Sequence, residues 1–262
     1  MIHNGGPRRP PNVSRIYDHM LGGKDNYEDD RRFTEALLAV MPDAQAAARA
    51  NRNFLARAVR FAVGEAGIRQ LIDIGTGLPA ISDPGEVARE LAPGTRVVYA
   101  DNDPVVLAHA RALRCADPGV CAIQGDLRDP PGILRHPDLR AQIDLRQPTA
   151  ILLTAVLHFL PDEDEPYRLV NMLKAAMAPG SLLVISHATT DNLSADAVKQ
   201  IEELYAQATA PAVPRAFAEI ARFFDGVELV SPGLTDVACW RADPLPGLPV
   251  RTIVVGGVGR KV

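Results

Sequence analysis

From residue 70 onward, short continuous apolar runs alternate with helical stretches, and this alternation limits the possible folds more than any other feature of the chain. Runs that are apolar without interruption are typical of strands buried on both faces. Strands that alternate with helices predict a parallel α/β sheet with right-handed crossovers. The predicted strands are 71–74, 96–100, 120–123, 150–156 and 181–186, followed by a long helix at 195–208 and two closing strands at 227–230 and 252–255.

The first 65 residues differ, because their apolar residues recur at helical spacing. The first apolar stripe comprises Val13, Ile16, Tyr17, Met20 and Leu21. Such a short helix is marginal alone and must bury this stripe, and Gly22-Gly23 ends it with a flexible joint. We therefore predict a helical lid segment (1–66) and a sheet domain (67–262), with residues 12–27 closing over a ligand site.

Three consecutive predicted strands end in residues suited to ligand binding, which in such sheets occurs beyond the carboxyl ends of the strands. The first ends in DIGTGLP (73–79), where Gly75 and Gly77 permit a tight turn and close approach of the backbone to a ligand. The second ends in VVYADNDP (97–104), and Asp101 there can accept hydrogen bonds from both hydroxyls of a ribose. The third ends in IQGDL (123–127), where Asp126 can accept from an exocyclic amine such as that of adenine.

In this order, the motifs resemble those of class I S-adenosylmethionine-dependent methyltransferases. The similarity extends through ILLTAVLHFLPD (151–162) and APGSLLVIS (178–186). It is closer still to a subfamily of S-adenosyl methyltransferases from actinomycete-type bacteria. That likeness covers nearly the whole chain, from PNVSRIYDHMLGGKDNY (11–27) through RANRNFL (49–55) to the terminal GVGRK (257–261).

The resemblance implies a Rossmann-like sheet of seven strands, the last antiparallel, with S-adenosylmethionine across the first three strand ends. By analogy, the turn at 73–77 lies under the methionine part and Asp101 holds the ribose. Asp126 and the Leu127 amide recognise adenine, and 155–158 lines the methyl-transfer side. The expected cofactor-binding residues are Asp73, Gly75, Thr76, Gly77, Asp101, Asn102, Asp126, Leu127, Ala155 and Tyr17.

Two other functions use the same strand ends. An NAD-dependent oxidoreductase is one alternative, because Gly75, Gly77 and Ala80 satisfy the dinucleotide-binding pattern GxGxxG/A. Against it, Asp73 stands where dinucleotide sites usually have an apolar residue. Pro79 and Pro84 also indicate a loop rather than a helix that opens at the second glycine. A protein that binds S-adenosylmethionine or S-adenosylhomocysteine without catalysis is the second alternative, distinguished by whether an acceptor pocket adjoins the cofactor.

The expected activity is methyl transfer to an unidentified small-molecule acceptor, for which an oxygen or nitrogen nucleophile must lose a proton. His158 is the first candidate base and His187 the second. The alternatives are a hydrogen-bonded pocket wall for His158 and a solvated strand end for His187. Asn51 and its arginine neighbours are expected on a helix surface, or in contact with the methionine carboxylate.

Composition and the absence of certain motifs argue against several classes of binding partner. A net charge of −4, and no [DN]-P-P-[YF] tetrapeptide in the fourth strand, argue against a nucleic-acid substrate. The three cysteines form no disulfide framework or metal-binding pattern, so we expect no metal. No apolar run approaches the roughly 18 residues of a membrane helix, and the polar start has no signal-peptide pattern. We therefore expect a cytoplasmic protein without membrane contact.

Overall fold

The computed structural model of the protein describes residues 9–80, 82–191, 193–242 and 252–262. Residues 1–8 of the predicted lid segment lie outside the described residues. The helices are α1 (Val13–Met20), α2 (Glu28–Val40), α3 (Ala44–Arg60), α4 (Pro84–Leu91), α5 (Pro104–Leu113), α6 (Pro130–Arg135), α7 (Pro137–Gln142), α8 (Pro166–Ala176), α9 (Ala195–Tyr205) and α10 (Phe217–Ala221). A π-helical turn, Phe61–Glu65, extends α3.

The predicted α/β sheet is confirmed. Its strands are β1 (Gln70–Ile74), β2 (Arg96–Asp101), β3 (Val120–Gln124), β4 (Ala150–Thr154), β5 (Leu182–Ala188), β6 (Glu228–Leu229), β7 (Thr235–Asp236) and β8 (Val254–Arg260). The order is β3-β2-β1-β4-β5-β8-β6, and β1 to β5 are parallel. β8 is antiparallel to β5, as expected for the last strand.

Two details differ from the sequence prediction. The described residues contain eight strands rather than seven, because the two-residue β7 pairs with β8 beside the main order. A strand so short leaves no periodic pattern to detect. β8 also begins at Val254 rather than at residue 252, and it continues without interruption through the glycine-rich end to Arg260. The glycines leave room for neighbouring side chains. A Cβ at Gly256 would lie 2.9 Å from the ring of Phe54.

The continuous apolar runs are buried on both faces of the sheet, as predicted. All five residues of β1 are buried. Leu71 belongs to a core cluster with residues of α3, α4 and α5, whereas Ile72 belongs to a cluster with residues of α6, α7 and α8. A third cluster joins α1, α2, the start of α3 and α9. The apolar stripe of α1 therefore packs against helices on the strand-end side of the molecule, with Ile16 and Met20 buried and Val13, Tyr17 and Leu21 partly buried.

An aspartate followed by a proline begins three of the helices that follow the parallel strands. Pro84, Pro104 and Pro130 occupy the first position of their helices, where the missing N–H costs nothing. The aspartate before each proline accepts hydrogen bonds from backbone N–H groups of the first turn. This arrangement fixes the short loops that carry the predicted site residues.

Candidate active site

A cavity lies beyond the carboxyl ends of β1 to β4, with about 1110 Å³ of space when its solvent-filled mouth is included. It is lined by all ten predicted cofactor-binding residues, which come from five separate segments of the chain. They are Tyr17, Asp73, Gly75, Thr76, Gly77, Asp101, Asn102, Asp126, Leu127 and Ala155. We call this space the strand-end cavity.

The glycine turn forms the floor of the strand-end cavity. Gly75 and Gly77 have φ of +72° and +64°, a conformation that glycine adopts without strain. A Cβ at Gly75 would also collide with the side chain of Val156. Gly75 N donates to Ala100 O at 2.8 Å, which joins the turn to the end of β2. Both glycines are therefore required by the local backbone, and both line the cavity.

Asp101 is held at the end of β2 with both carboxylate oxygens directed by backbone donors. It is 6% exposed. Oδ2 accepts from Gly77 N and Oδ1 from Asp103 N, each at 2.9 Å. Burial raises the pKa of this carboxyl, against the hydrogen bonds from these donors. Because each carboxylate oxygen can accept more than one hydrogen bond, both keep capacity for a ligand hydroxyl.

Asp73 and the glycine turn belong to a buried ionic network that the sequence analysis missed. Burial raises the pKa of Asp73 to about 6, opposed by a hydrogen bond from the Thr76 side chain and by the charge of Arg114. Arg114, which follows α5, donates to Thr76 Oγ1 at 2.8 Å and lies 2.6 Å from Asp83 Oδ2. Its guanidinium carbon also lies 4.6 Å from the ring centre of Tyr99. No local pattern links these residues, because the contacts join separate segments of the chain.

The third acid, Asp126, lies beside the end of β3. Its Oδ1 accepts from Arg128 N at 2.9 Å, and its Oδ2 accepts from Asn102 Nδ2 at 3.1 Å. Partial burial opposes ionisation, but these hydrogen bonds and the Arg128 charge lower the pKa of Asp126. Asp126 is thus an ionised hydrogen-bond acceptor on one side of the cavity, next to Leu127.

Helix α1 covers part of the cavity and is anchored at its beginning. Asn12 caps the helix, and its Nδ2 donates to Asp103 Oδ2 at 2.8 Å. The Asn12 backbone N–H donates to Asp30 Oδ1 at 2.9 Å, and Arg15 pairs with the same carboxylate. The segment is therefore attached both to α2 and to the cap of α5.

Tyr17 connects α1 to α3 at the cavity wall. Its hydroxyl donates to Ala48 O at 3.1 Å and accepts from Asn51 Nδ2 at 2.9 Å. The helix-surface alternative is wrong for Asn51, which is only 3% exposed. Its Oδ1 is buried without a hydrogen-bond partner among the described residues. Arg52 also lines the cavity and donates to Ser82 O at 3.0 Å.

A second cavity adjoins the first, with about 760 Å³ of space when its solvent-filled mouth is included. It lies among α1, α2, α3, α9 and the ends of β5 and β8. Four residues line both cavities, namely Val13, Tyr17, Asn51 and Ala155. We call this second space the helical cavity. Sequence patterns did not predict it, because its walls come from elements more than 150 residues apart.

The two candidate histidines have different positions. His158 lines the helical cavity, and its Nδ1 accepts from Ala188 N at 3.3 Å. Burial lowers the pKa of His158 to about 4, assisted by the charge of Arg215. A neutral ring whose Nδ1 accepts a hydrogen bond carries its proton on Nε2.

His187 lies behind His158 and lines neither of the two cavities. The solvated alternative is wrong, because the residue is fully buried. Its Nδ1 contacts Ala188 O at 2.7 Å and its Nε2 contacts Arg215 Nη1 at 3.2 Å, so both ring nitrogens are engaged. Burial lowers the pKa of His187 well below its usual value. The geometry therefore places His187 in a buried polar network rather than at a ligand surface.

The described residues contain no group of three or more His, Cys, Asp or Glu side chains that could hold a metal ion. Within the same ranges, no helix is long and apolar enough to cross a membrane.

Comparison with known proteins agrees with this geometry. A family model described as S-adenosyl methyltransferase matches residues 8–262. A crystal structure of a candidate methyltransferase from Thermobifida fusca YX is 39% identical, with a TM-score of 0.89 over 96% of this chain and 95% of that one. A DUF574 family protein from Streptomyces avermitilis is 36% identical, with a TM-score of 0.90 over 97% and 98% of the two chains.

A curated relative from Mycobacterium avium (strain 104) is 33% identical over 195 residues. Its name describes it as a candidate S-adenosyl-L-methionine-dependent methyltransferase. The alignment covers 72% of this chain and 60% of that relative. The match to the family model spans nearly the whole sequence, including the anchored α1 and the strand ends that form the cavity. The chain therefore belongs to the S-adenosyl methyltransferase family, whose cofactor is S-adenosylmethionine.

Proposed function

We propose that this protein transfers the methyl group of S-adenosylmethionine to a small-molecule acceptor, with the cofactor in the strand-end cavity. One observation carries the proposal: ten residues chosen for cofactor binding from the sequence, in five separate segments, line one cavity beyond the parallel strands. Ligand sites of open parallel sheets lie in this position.

Each part of the cavity suits one part of the cofactor. Asp101, with free acceptor capacity on both oxygens, would hold the two ribose hydroxyls. Asp126 and the Leu127 amide would recognise the adenine edge. The glycine turn would pass beneath the methionine part, where the carboxylate of Asp73 complements positive charge. Ala155, which lines both cavities, would stand where the methyl group meets its acceptor.

The residues around the two cavities would bind and orient the cofactor and the acceptor, and would exclude water from the space between them. When bound, S-adenosylmethionine would supply an activated methyl group; its transfer to an acceptor lone pair would leave the thioether S-adenosylhomocysteine, and a proton lost from the acceptor would pass to bulk solvent as the products leave. Because Nδ1 of His158 already accepts a backbone hydrogen bond, this side chain would orient the acceptor through Nε2–H rather than remove its proton. Residues 1–66, through α1, would serve as a lid that positions the cofactor.

The alternative of cofactor binding without catalysis is less well supported. It needs no acceptor space, whereas a mostly apolar cavity adjoins the strand-end cavity and shares four wall residues with it. Ligand sites are usually lined in this way, by apolar side chains with a few polar groups.

Isothermal titration calorimetry tests the proposal. The purified protein is titrated separately with S-adenosylmethionine, S-adenosylhomocysteine and NAD. We expect saturable binding of the first two and no heat of binding with NAD. Binding of NAD without either sulfur ligand would replace the methyltransferase by the oxidoreductase alternative. Mass spectrometry of the protein as purified adds an independent test through any retained ligand.

A further inference from the structure

We propose that the helical cavity is the acceptor site, and that its ligand is an uncharged, mostly apolar small molecule with one polar methyl-accepting group. This inference rests on the proposed function, because it assigns the cavity next to the cofactor. It goes beyond that function by naming the chemical class of the acceptor and the walls that select it.

The position of the helical cavity fits an acceptor site. Tyr17, Asn51 and Ala155 line both it and the strand-end cavity, so the two spaces are adjacent at these residues. Methyl transfer needs neighbouring sites, because the donor carbon and the accepting atom must approach closely and in line. A site elsewhere on the surface would not bring them together.

The chemistry of the walls selects an uncharged ligand. Aliphatic and methionine side chains dominate the lining of the helical cavity, and Tyr205 adds an aromatic ring to that of Tyr17. Among the described residues that line this cavity, none is Asp, Glu, Lys or Arg. The apolar lining residues include Met20, Leu37, Met41, Leu193, Ile201 and Val254. A charged ligand group buried here would lose its hydration without an opposite charge in the wall to replace it. A phosphate, a carboxylate or an ammonium is therefore excluded from the body of the acceptor.

Polar groups occur on the side nearest the cofactor. Asn51 and the Tyr17 hydroxyl lie on the shared wall, and His158 lines the helical cavity nearby. Both ionisable side chains are neutral at pH 7, since burial raises the pKa of Tyr17 and lowers that of His158. The buried Asn51 Oδ1 has no donor among the described residues, and an N–H or O–H of a bound ligand would satisfy it. The methyl-accepting group would point to this side, with the apolar body among the helices.

A matched pair of fluorescent probes tests the selection by charge. N-phenyl-1-naphthylamine is neutral and apolar with one N–H, and 8-anilino-1-naphthalenesulfonate has the same rings with an added sulfonate. Both are titrated into the full chain with saturating S-adenosylhomocysteine, whose own binding is measured by calorimetry. We expect the neutral probe to bind at least about tenfold more tightly, a difference of roughly 1.4 kcal/mol.

Two cavity-filling variants locate the bound probe. Leu193 and Ala212 line the helical cavity and not the strand-end cavity. Leu193→Trp and, separately, Ala212→Phe should weaken the neutral probe by about tenfold or more while the affinity for S-adenosylhomocysteine stays unchanged. Ala195→Trp, on the exposed start of α9, is the matched control and should change neither. If one filling variant fails to fold, the other gives the same test.

The outcomes separate this inference from the proposed function. Equal affinity for the two probes, or neutral-probe binding that both folded filling variants leave unchanged, would overturn the assignment of the helical cavity, even with S-adenosylhomocysteine bound. Absence of S-adenosylhomocysteine binding in the wild-type protein would instead overturn the proposed function and, with it, the role of this cavity as an acceptor site.

Discussion

Replacing Asp101 by alanine removes the side chain on which the proposed cofactor position depends most. In the structure its two oxygens accept hydrogen bonds from Gly77 N and Asp103 N, and both keep capacity for ribose hydroxyls. Loss of hydrogen bonds to a charged group costs about 1.5–3 kcal/mol. The affinity for S-adenosylhomocysteine should therefore fall by about tenfold to 150-fold.

The same substitution also has a structural cost that can be measured separately. Gly77 N–H, which is only partly buried, loses its acceptor, and this costs less than the roughly 1–3 kcal/mol of a fully buried unpaired donor. Urea denaturation of the unliganded variant should show this loss of stability. Asp101→Asn keeps one carbonyl oxygen, and its affinity should lie between those of the wild type and Asp101→Ala.

Asp129→Ala is the matched control. Its carboxylate also follows a strand of the sheet, but it caps α6 and does not line the strand-end cavity. This variant should lose about 0.5–2 kcal/mol of stability and no affinity for S-adenosylhomocysteine. A folded Asp101→Ala variant with wild-type affinity would refute the role of Asp101. An equal loss of affinity in Asp129→Ala would show that the effect is not specific to the site.

Three further predictions follow from the helix contacts and the perturbed side chains. The folded protein keeps a proton on Asp73 up to about pH 6, above the unfolded value of 3.8, so the stability from this group falls as the pH rises through that range. In Asp73→Asn the free energy of unfolding, measured by urea denaturation, should depend less on pH in this range. An unchanged dependence on pH would contradict the prediction. The ring C–H signals of His158 should not shift in NMR spectra between pH 5.5 and 8, whereas a midpoint near 6.5 would show an exposed, titrating ring. Removal of the first 27 residues should leave a folded sheet with weaker S-adenosylhomocysteine binding, and ligand should slow hydrogen exchange in residues 12–27 of the intact chain. Unchanged affinity and exchange would leave α1 as a structural cap.

The cofactor side of the site could be predicted from sequence because its residues belong to local motifs. Each acid or glycine follows directly after a continuous apolar run, and parallel strands bring the ends of such runs to one edge. The order of the strand-end motifs along the chain therefore predicted which residues would lie together. Asp101 and Asp126 required no knowledge of distant contacts.

The rest depended on contacts between segments that are far apart in the chain. Arg114 supports the glycine turn from the end of α5, with Asp83 as its partner. His187 follows an apolar run as the acids do, yet it forms a buried pair with Arg215. β8 runs without interruption through its glycines, which weaken the sequence pattern of a strand, and the packing of Phe54 against Gly256 requires one of them. No local pattern encodes such tertiary contacts.

A crystal structure with saturating S-adenosylhomocysteine tests the central claim most directly. The account predicts electron density in the strand-end cavity, with both ribose hydroxyls within hydrogen-bond distance of the Asp101 carboxylate and adenine beside Asp126. It also predicts that the sulfur lies near Ala155 and faces the helical cavity. Density for the ligand outside this cavity, or with its ribose away from Asp101, would contradict the account.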